Sequence, residues 1–220
     1  MKTVKTLVAT SVLSAALLLS AGAQSADKPA VGITPNMTSV TVMHNGKKTE
    51  ITRNQNQKNT VKPAFAKTSR KCPPFCIQPA VLAPGVETIA EVEVLDYLSK
   101  MSAGDDSILV IDSRTPDWVK KGTITGAVNI PWTALNPAKG ADPISIGEIL
   151  VDRFGARELE GLWDYSNAKT LVMFCNGMWC GQSPNNIKNL LKFGYPADKI
   201  KWYRGGMQDW EILGLSTVKP

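Results

Sequence analysis

The chain has 220 residues, of which 43% are apolar and 20% charged. That is enough for one ordinary domain plus an extension, and too apolar for a chain that stays unfolded. The formal net charge is +6, and the single histidine, His44, excludes a His-rich metal site and confines any Ser-His-Asp or Cys-His arrangement to one position.

Lys2 and Lys5 precede an apolar run from Thr6 to Ser20, too short for a membrane span. Ala21-Gly22-Ala23 then supplies the small residues of a cleavage site, which predicts a secretory signal peptide over residues 1–23. Cleavage after Ala23 would leave 197 residues and a charge of +4. The expected location is periplasmic or secreted, with no stable membrane span. That compartment is oxidising and bears on how four cysteines are read.

Residues 24–85 read as an N-terminal extension. Val40 and Val42 alternate with Ser39 and Thr41, and Asn45-Gly46 lies between this run and Ile51. Asn-Gly suits the positive φ values of a type I′ turn, so a small hairpin is expected, with His44 as an exposed residue beside the turn. Arg53 to Lys71 carries six Lys or Arg and no acid. A solvated basic linker is the simplest reading, and nucleic acid is not an expected partner in such a compartment. Cys72-Pro73-Pro74-Phe75-Cys76 brings two cysteines close together. They form either a static disulfide or a redox relay that visits other thiols. The four cysteines lack zinc-ribbon spacing, and no metal or cofactor is expected.

The composition changes near Val86. Thr88-Ile89-Ala90-Glu91 has the form of a capping box ahead of a helix with Val92, Leu95 and Leu98 as its apolar stripe. Ile108–Ile111, ending in Asp112, and Leu171–Phe174 are continuous apolar runs expected of strands covered on both faces. Ile200, Trp202 and Tyr203 suggest a third strand. Between the last two lies a helix with Ser183 as N-cap, Pro184 in its first turn, Ile187, Leu190 and Leu191 as its stripe, and Gly194 beyond its end. Strands alternating with helices imply a parallel sheet with helices on both faces.

In such sheets ligands bind beyond the carboxyl ends of the strands. Cys175 stands there, followed by the loop Asn176, Gly177, Met178, Trp179, Cys180, Gly181 and Gln182 and then a helix. Loop N–H groups and a helix N-terminus both stabilise a thiolate, so Cys175 can be a nucleophile without a histidine. Trp179 sits within the loop. Trp118, Trp132, Trp163, Trp202 and Trp210 are expected in the core.

The span from about Val86 to Val218 resembles the rhodanese-like domain family. The resemblance rests on Asp112-Ser113-Arg114 closing a strand, on Gly122-Thr123-Ile124-Thr125-Gly126-Ala127, on Phe174-Cys175 followed by Ser183, and on Tyr203-Arg204-Gly205-Gly206-Met207 with Trp210. It implies an α/β three-layer fold over residues 86–220, a central parallel sheet between helices, preceded by the small extension. It also implies a sulfurtransferase that carries a persulfide on Cys175, cradled by residues 176–182, with Asp112, Arg114 and Ser183 in support. The partners implied are a small sulfur donor and a thiol acceptor. A periplasmic redox partner, with Cys180 as a resolving thiol in thiol–disulfide exchange, is the alternative. A non-catalytic rhodanese-like binding module is a third.

Three departures qualify the resemblance. Thr123 replaces the usual His, removing a structural hydrogen-bonding group. The loop is longer than the common single-domain form, with Ser183 eight residues after Cys175. It also lacks Lys and Arg, with Gln182 where many relatives carry Arg. Charge-assisted donors are what a dianion needs, so phosphatase chemistry is disfavoured and thiosulfate is expected to be a poor donor.

Overall fold

The computed structural model describes residues 29–220. The signal peptide read over 1–23 lies outside the described residues. Strands β1 (Ser39–His44) and β2 (Lys47–Thr52) form the expected hairpin. Its turn residues, Asn45 at φ 49° and Gly46 at φ 75°, have the positive values a type I′ turn requires. Next come α1 (Pro63–Ala66), β3 (Glu87–Ile89), α2 (Glu91–Ser102), β4 (Ile108–Asp112), α3 (Pro116–Val119), β5 (Thr123–Ile124) and β6 (Val128–Asn129). Helix α4 (Pro143–Glu148) runs into a π-helical turn at Ile149–Arg153. The chain closes with β7 (Arg157–Leu159), β8 (Leu162–Asp164), β9 (Thr170–Phe174), α5 (Gln182–Lys192), β10 (Ile200–Tyr203), α6 (Gly206–Ile212) and β11 (Thr217–Val218).

Five strands form one parallel sheet in the order β3-β10-β9-β4-β6. Successive side chains on a strand point to opposite faces, and the central strand shows the consequence. Leu171 and Met173 of β9 enter one core with Ile187 and Leu190 of α5 and with Ile146 and Leu150. Val172 and Phe174 enter the other with Val94, Leu95 and Leu98 of α2 and Met207 and Trp210 of α6. The expected fold, a parallel sheet between two helical layers, is therefore present. Among the described residues, no helix is long and apolar enough to cross a membrane.

The extension is part of the second core. Val40, Val42, Ile51 and Phe65 are buried against α2 and α6. Met43 donates its N–H to Ser102 Oγ at 2.8 Å, and the Lys62 ammonium pairs with the buried Glu211 at 2.7 Å. The basic stretch is thus anchored by Phe65 and Lys62, while Lys58, Lys67 and Lys71 remain exposed. His44 is half-buried, not exposed: its Nδ1 accepts the Gly126 N–H at 3.1 Å, and burial holds it below the usual imidazole range.

Two helix starts differ from expectation. Thr88 lies in β3 and donates its hydroxyl to the Ala80 carbonyl at 2.5 Å. The cap of α2 is Ala90, whose N–H donates to Glu93 Oε2 at 3.0 Å, so only the glutamate half of a capping box is present, two residues later than expected. The buried stripe is Val94, Leu95 and Leu98, and Val92 is exposed. Helix α5 begins at Gln182 after Gly181, which frees the Ser183 side chain from capping.

Ile51→Ala should destabilise the whole domain by about 2–5 kcal/mol, because it opens a cavity in the core that holds α2 and α6. Urea unfolding followed by far-UV circular dichroism would show one transition at lower urea. An unchanged midpoint would mean that the hairpin packs independently.

Candidate active site

Residues 175–181 form the connection from β9 to α5, at the carboxyl end of the sheet's middle strand. Helix α6 fixes this loop from the side. Met207 N–H donates to the Cys175 carbonyl at 2.9 Å, and Gln208 N–H donates to the Asn176 carbonyl at 3.0 Å. Gly206 makes that approach feasible. It has φ 57°, and a Cβ there would collide with the Cys175 carbonyl.

Cys175 is 3% exposed. Ser183 Oγ donates to its sulfur at 3.1 Å, and Trp202 Nε1 donates to Ser183 Oγ at 3.2 Å. The indole bond occupies the serine oxygen and leaves the hydroxyl proton for the sulfur. In the thiol form, Cys175 donates to the Cys180 carbonyl at 3.5 Å. Burial opposes ionisation of Cys175. Hydrogen bonds from the Cys180 thiol, the Ser183 hydroxyl and the N–H groups of Ser183 and Gly177 outweigh it, bringing the thiol down to about 7. Burial pushes Cys180 the other way, and the neighbouring Cys175 sulfur adds to it. One cysteine of the pair is the acid and the other remains a thiol. They are not bonded to each other, whereas Cys72 and Cys76 are joined by a disulfide with Cα atoms 4.6 Å apart.

Asp112 and Arg114 lie beneath the loop. Arg114 is fully buried and grips Asp112 through Nη2 at 2.6 Å and Nε at 2.9 Å. It also donates to the Gly122 carbonyl at 2.7 Å, and Nη1 lies 3.5 Å from Asn176 Oδ1. Thr123 does not abolish the hydrogen bond expected to be lost with the usual His: its hydroxyl donates to Asp112 Oδ2 at 2.7 Å. The bonds of this cluster run to the backbone and to Asn176, not to either sulfur.

A cavity of about 420 Å³ opens beside the loop, with Cys180, Asn176 and Gln182 on one side. Cys180 stands at its wall, and its sulfur lies 3.7 Å from Gln182 Oε1. Trp202 and Trp210 are buried as expected, but Trp118 and Trp132 line this cavity instead of the core. Trp179 donates to Gln208 Oε1 at 2.8 Å, and Phe75 meets its ring edge-on at 5.6 Å. Met178 is partly exposed at the loop's outer side. The loop itself carries no cation, yet Arg70 from the basic stretch stacks over Trp179. Sequence spacing gave no sign of Arg70, Phe75, Trp118 or Trp132, because each reaches the site from a distant segment. Among the described residues, no group of His, Cys, Asp or Glu is placed to hold a metal ion.

The family profile described as Rhodanese-like domain matches residues 94–213. No curated protein matches the chain. Among solved structures, a Bacillus halodurans protein is 18% identical, with TM-score 0.39, over 56% of this chain and 70% of that one. A rhodanese-like domain from Anabaena is 16% identical, with TM-score 0.37, over 63% and 81%. A human single-domain sulfurtransferase is 23% identical, with TM-score 0.35, over 57% and 95%.

Two measurements probe this geometry. Wild-type Cys175 should alkylate faster as pH rises through about 7, since only the thiolate reacts. Ser183→Ala removes one donor to that thiolate and should move the midpoint up by about one pH unit, equivalent to about 1.4 kcal/mol. An unmoved midpoint would discount the serine. Arg114→Ala strands the buried Asp112 carboxylate and should cost about 3–5 kcal/mol in urea unfolding; a loss under 1 kcal/mol would contradict the buried pair's structural role.

Proposed function

The chain belongs to the rhodanese-like domain family, and from that premise we propose that it is a sulfurtransferase using Cys175 as the sulfur carrier. The observation that carries this reading is the buried Cys175 sulfur, made acidic by hydrogen-bond donors without any histidine. Its thiolate attacks the outer sulfur of a sulfane donor. The donor's bond to that sulfur breaks, and the remainder departs with the electron pair. The persulfide on Cys175 is held by the N–H groups of the loop and by the start of α5. An acceptor thiolate then attacks the outer sulfur and regenerates the Cys175 thiolate. No net oxidation of the protein occurs. Cys180 lines the cavity and the buried Cys175 does not, so the loop has to open between them as sulfur enters.

A second reading is favoured by the two free cysteines that share one loop, both buried, with Cys175 made acidic and Cys180 kept as a thiol. In thiol–disulfide exchange, Cys175 attacks a partner's disulfide, one partner sulfur leaves as thiolate, and Cys180 resolves the mixed disulfide. The partner is thereby reduced and the Cys175–Cys180 pair oxidised. We place either reaction outside the cytoplasm. The signal-peptide-like pattern of residues 1–23 and the Cys72–Cys76 disulfide support this location.

Cys175→Ser should lower sulfur transfer from a persulfide donor by at least about 1,000-fold with the fold retained, because the hydroxyl has no base to activate it. Cys180→Ser should retain transfer and lose disulfide exchange. Transfer that survives Cys175→Ser would remove Cys175 from the carrier role, and transfer that disappears with Cys180→Ser would favour the second reading.

A further inference from the structure

The cavity beside Cys180 has a chemical character that the loop alone lacks. Its volume of about 420 Å³ is that of a small organic molecule's site. Four rings wall it: Phe75, Trp118, Trp132 and Trp179. Among its lining residues there is a guanidinium, Arg70, and no carboxylate. Each tryptophan also carries a cation against its ring. Arg70 is 3.6 Å from the Trp179 centroid, Lys121 is 4.4 Å from Trp118, and Lys139 is 5.8 Å from Trp132.

Two buried donors belonging to these lining residues have no partner among the described residues: Nε of Arg70 and Nε1 of Trp132. Neither atom can accept a hydrogen bond. With a guanidinium in the wall, no carboxylate, and two lysines against its outer rings, the cavity favours a ligand that brings a negatively charged acceptor group. The rings favour an apolar, flat body.

The extension builds part of this wall. Arg70 and Phe75 both come from it, and the Cys72–Cys76 disulfide closes the turn that presents Phe75. Gln78 N–H donates to the Met178 carbonyl at 2.8 Å, and the Arg204 side chain donates to the carbonyls of Gln78 and Pro79. The segment is thereby fastened to the loop that carries Cys175.

We propose that this cavity selects an aromatic organic anion bearing a sulfane sulfur as the donor, with Arg70 as the specificity-determining contact to its anionic head. The assignment rests on the sulfur-transfer reading of Cys175. For an aryl thiosulfonate, the Cys175 thiolate attacks the terminal sulfur and the S–S bond breaks. The aryl sulfinate leaves with the electron pair, and an anionic persulfide stays on Cys175. Charge balances, with no proton and no outside electron needed. Thiosulfate would fill only a fraction of the cavity and would leave the rings uncovered.

The test uses the full chain with inert and reactive probes. Tryptophan fluorescence titrations compare benzenesulfonate, methanesulfonate and inorganic sulfate. Sulfur loading on Cys175 compares benzenethiosulfonate with thiosulfate. Benzenesulfonate should bind at least about tenfold tighter than the other two anions, and Arg70→Gln should lose about tenfold of that affinity. Arg70→Lys should recover part of it, which separates charge from folding. Loading by benzenethiosulfonate should fall in parallel with Arg70→Gln. Equal affinity for the three anions, or indifference to Arg70→Gln, would overturn the cavity assignment while leaving sulfur transfer intact. Tight, Arg70-dependent benzenesulfonate binding with no sulfur loaded from either donor would overturn the transfer reading and the donor role with it.

Discussion

A sulfur anion buried at the end of a central strand is stable only if hydrogen bonds replace the water it has lost. Everything around Cys175 answers that constraint. The β9–α5 turn brings the N–H groups of Gly177 and Ser183 to the sulfur. The Ser183 hydroxyl is aimed by Trp202 and donates to the sulfur at 3.1 Å. A helix start adds its partial positive charge at the same point. The balance is close. Burial alone would raise Cys175, as it raises Cys180 a few ångströms away. The difference between the two cysteines is therefore a matter of donors, not of depth.

Holding such a turn in place requires rigid neighbours. Gly206 lets the start of α6 bond directly to the loop backbone. Beneath it, Asp112, Arg114 and Thr123 form a closed set of buried bonds that reaches Asn176. A buried ion pair of this kind adds little net stability when complete, but breaking it is expensive. Its value here is positional: it ties β4 and the Gly122 turn to the loop. The extension adds a third restraint through Phe65, which packs with α6 while its carbonyl accepts from Gln208 Nε2 at 3.0 Å.

The fold was legible from sequence because the strands are buried on both faces and read as unbroken apolar runs, Ile108–Ile111 and Leu171–Phe174. The Asn45-Gly46 turn was legible because few residues accept its φ values. Helix starts were less so. Ser183 has the chemistry of an N-cap, but a sulfur anion one residue layer away is a stronger claim on its hydroxyl. Thr88 likewise satisfied a local pattern and was taken by a strand. Cys175 was visible through its place after a strand and before a helix. The cavity wall was not, since Arg70 and Phe75 arrive from a segment that reads as a basic linker, and Trp118 and Trp132 read as ordinary core.

The carrier role we propose for Cys175 predicts that the transferred sulfur is bound to its side chain. Intact-mass measurement of the full chain after incubation with a persulfide donor tests it most directly, repeated after treatment with a thiol reductant. The expected result is a gain equal to one sulfur atom, removed by reductant, absent in Cys175→Ser and retained in Cys180→Ser. A loss of two hydrogens with no sulfur gained would instead mean a Cys175–Cys180 disulfide, and would contradict the carrier role.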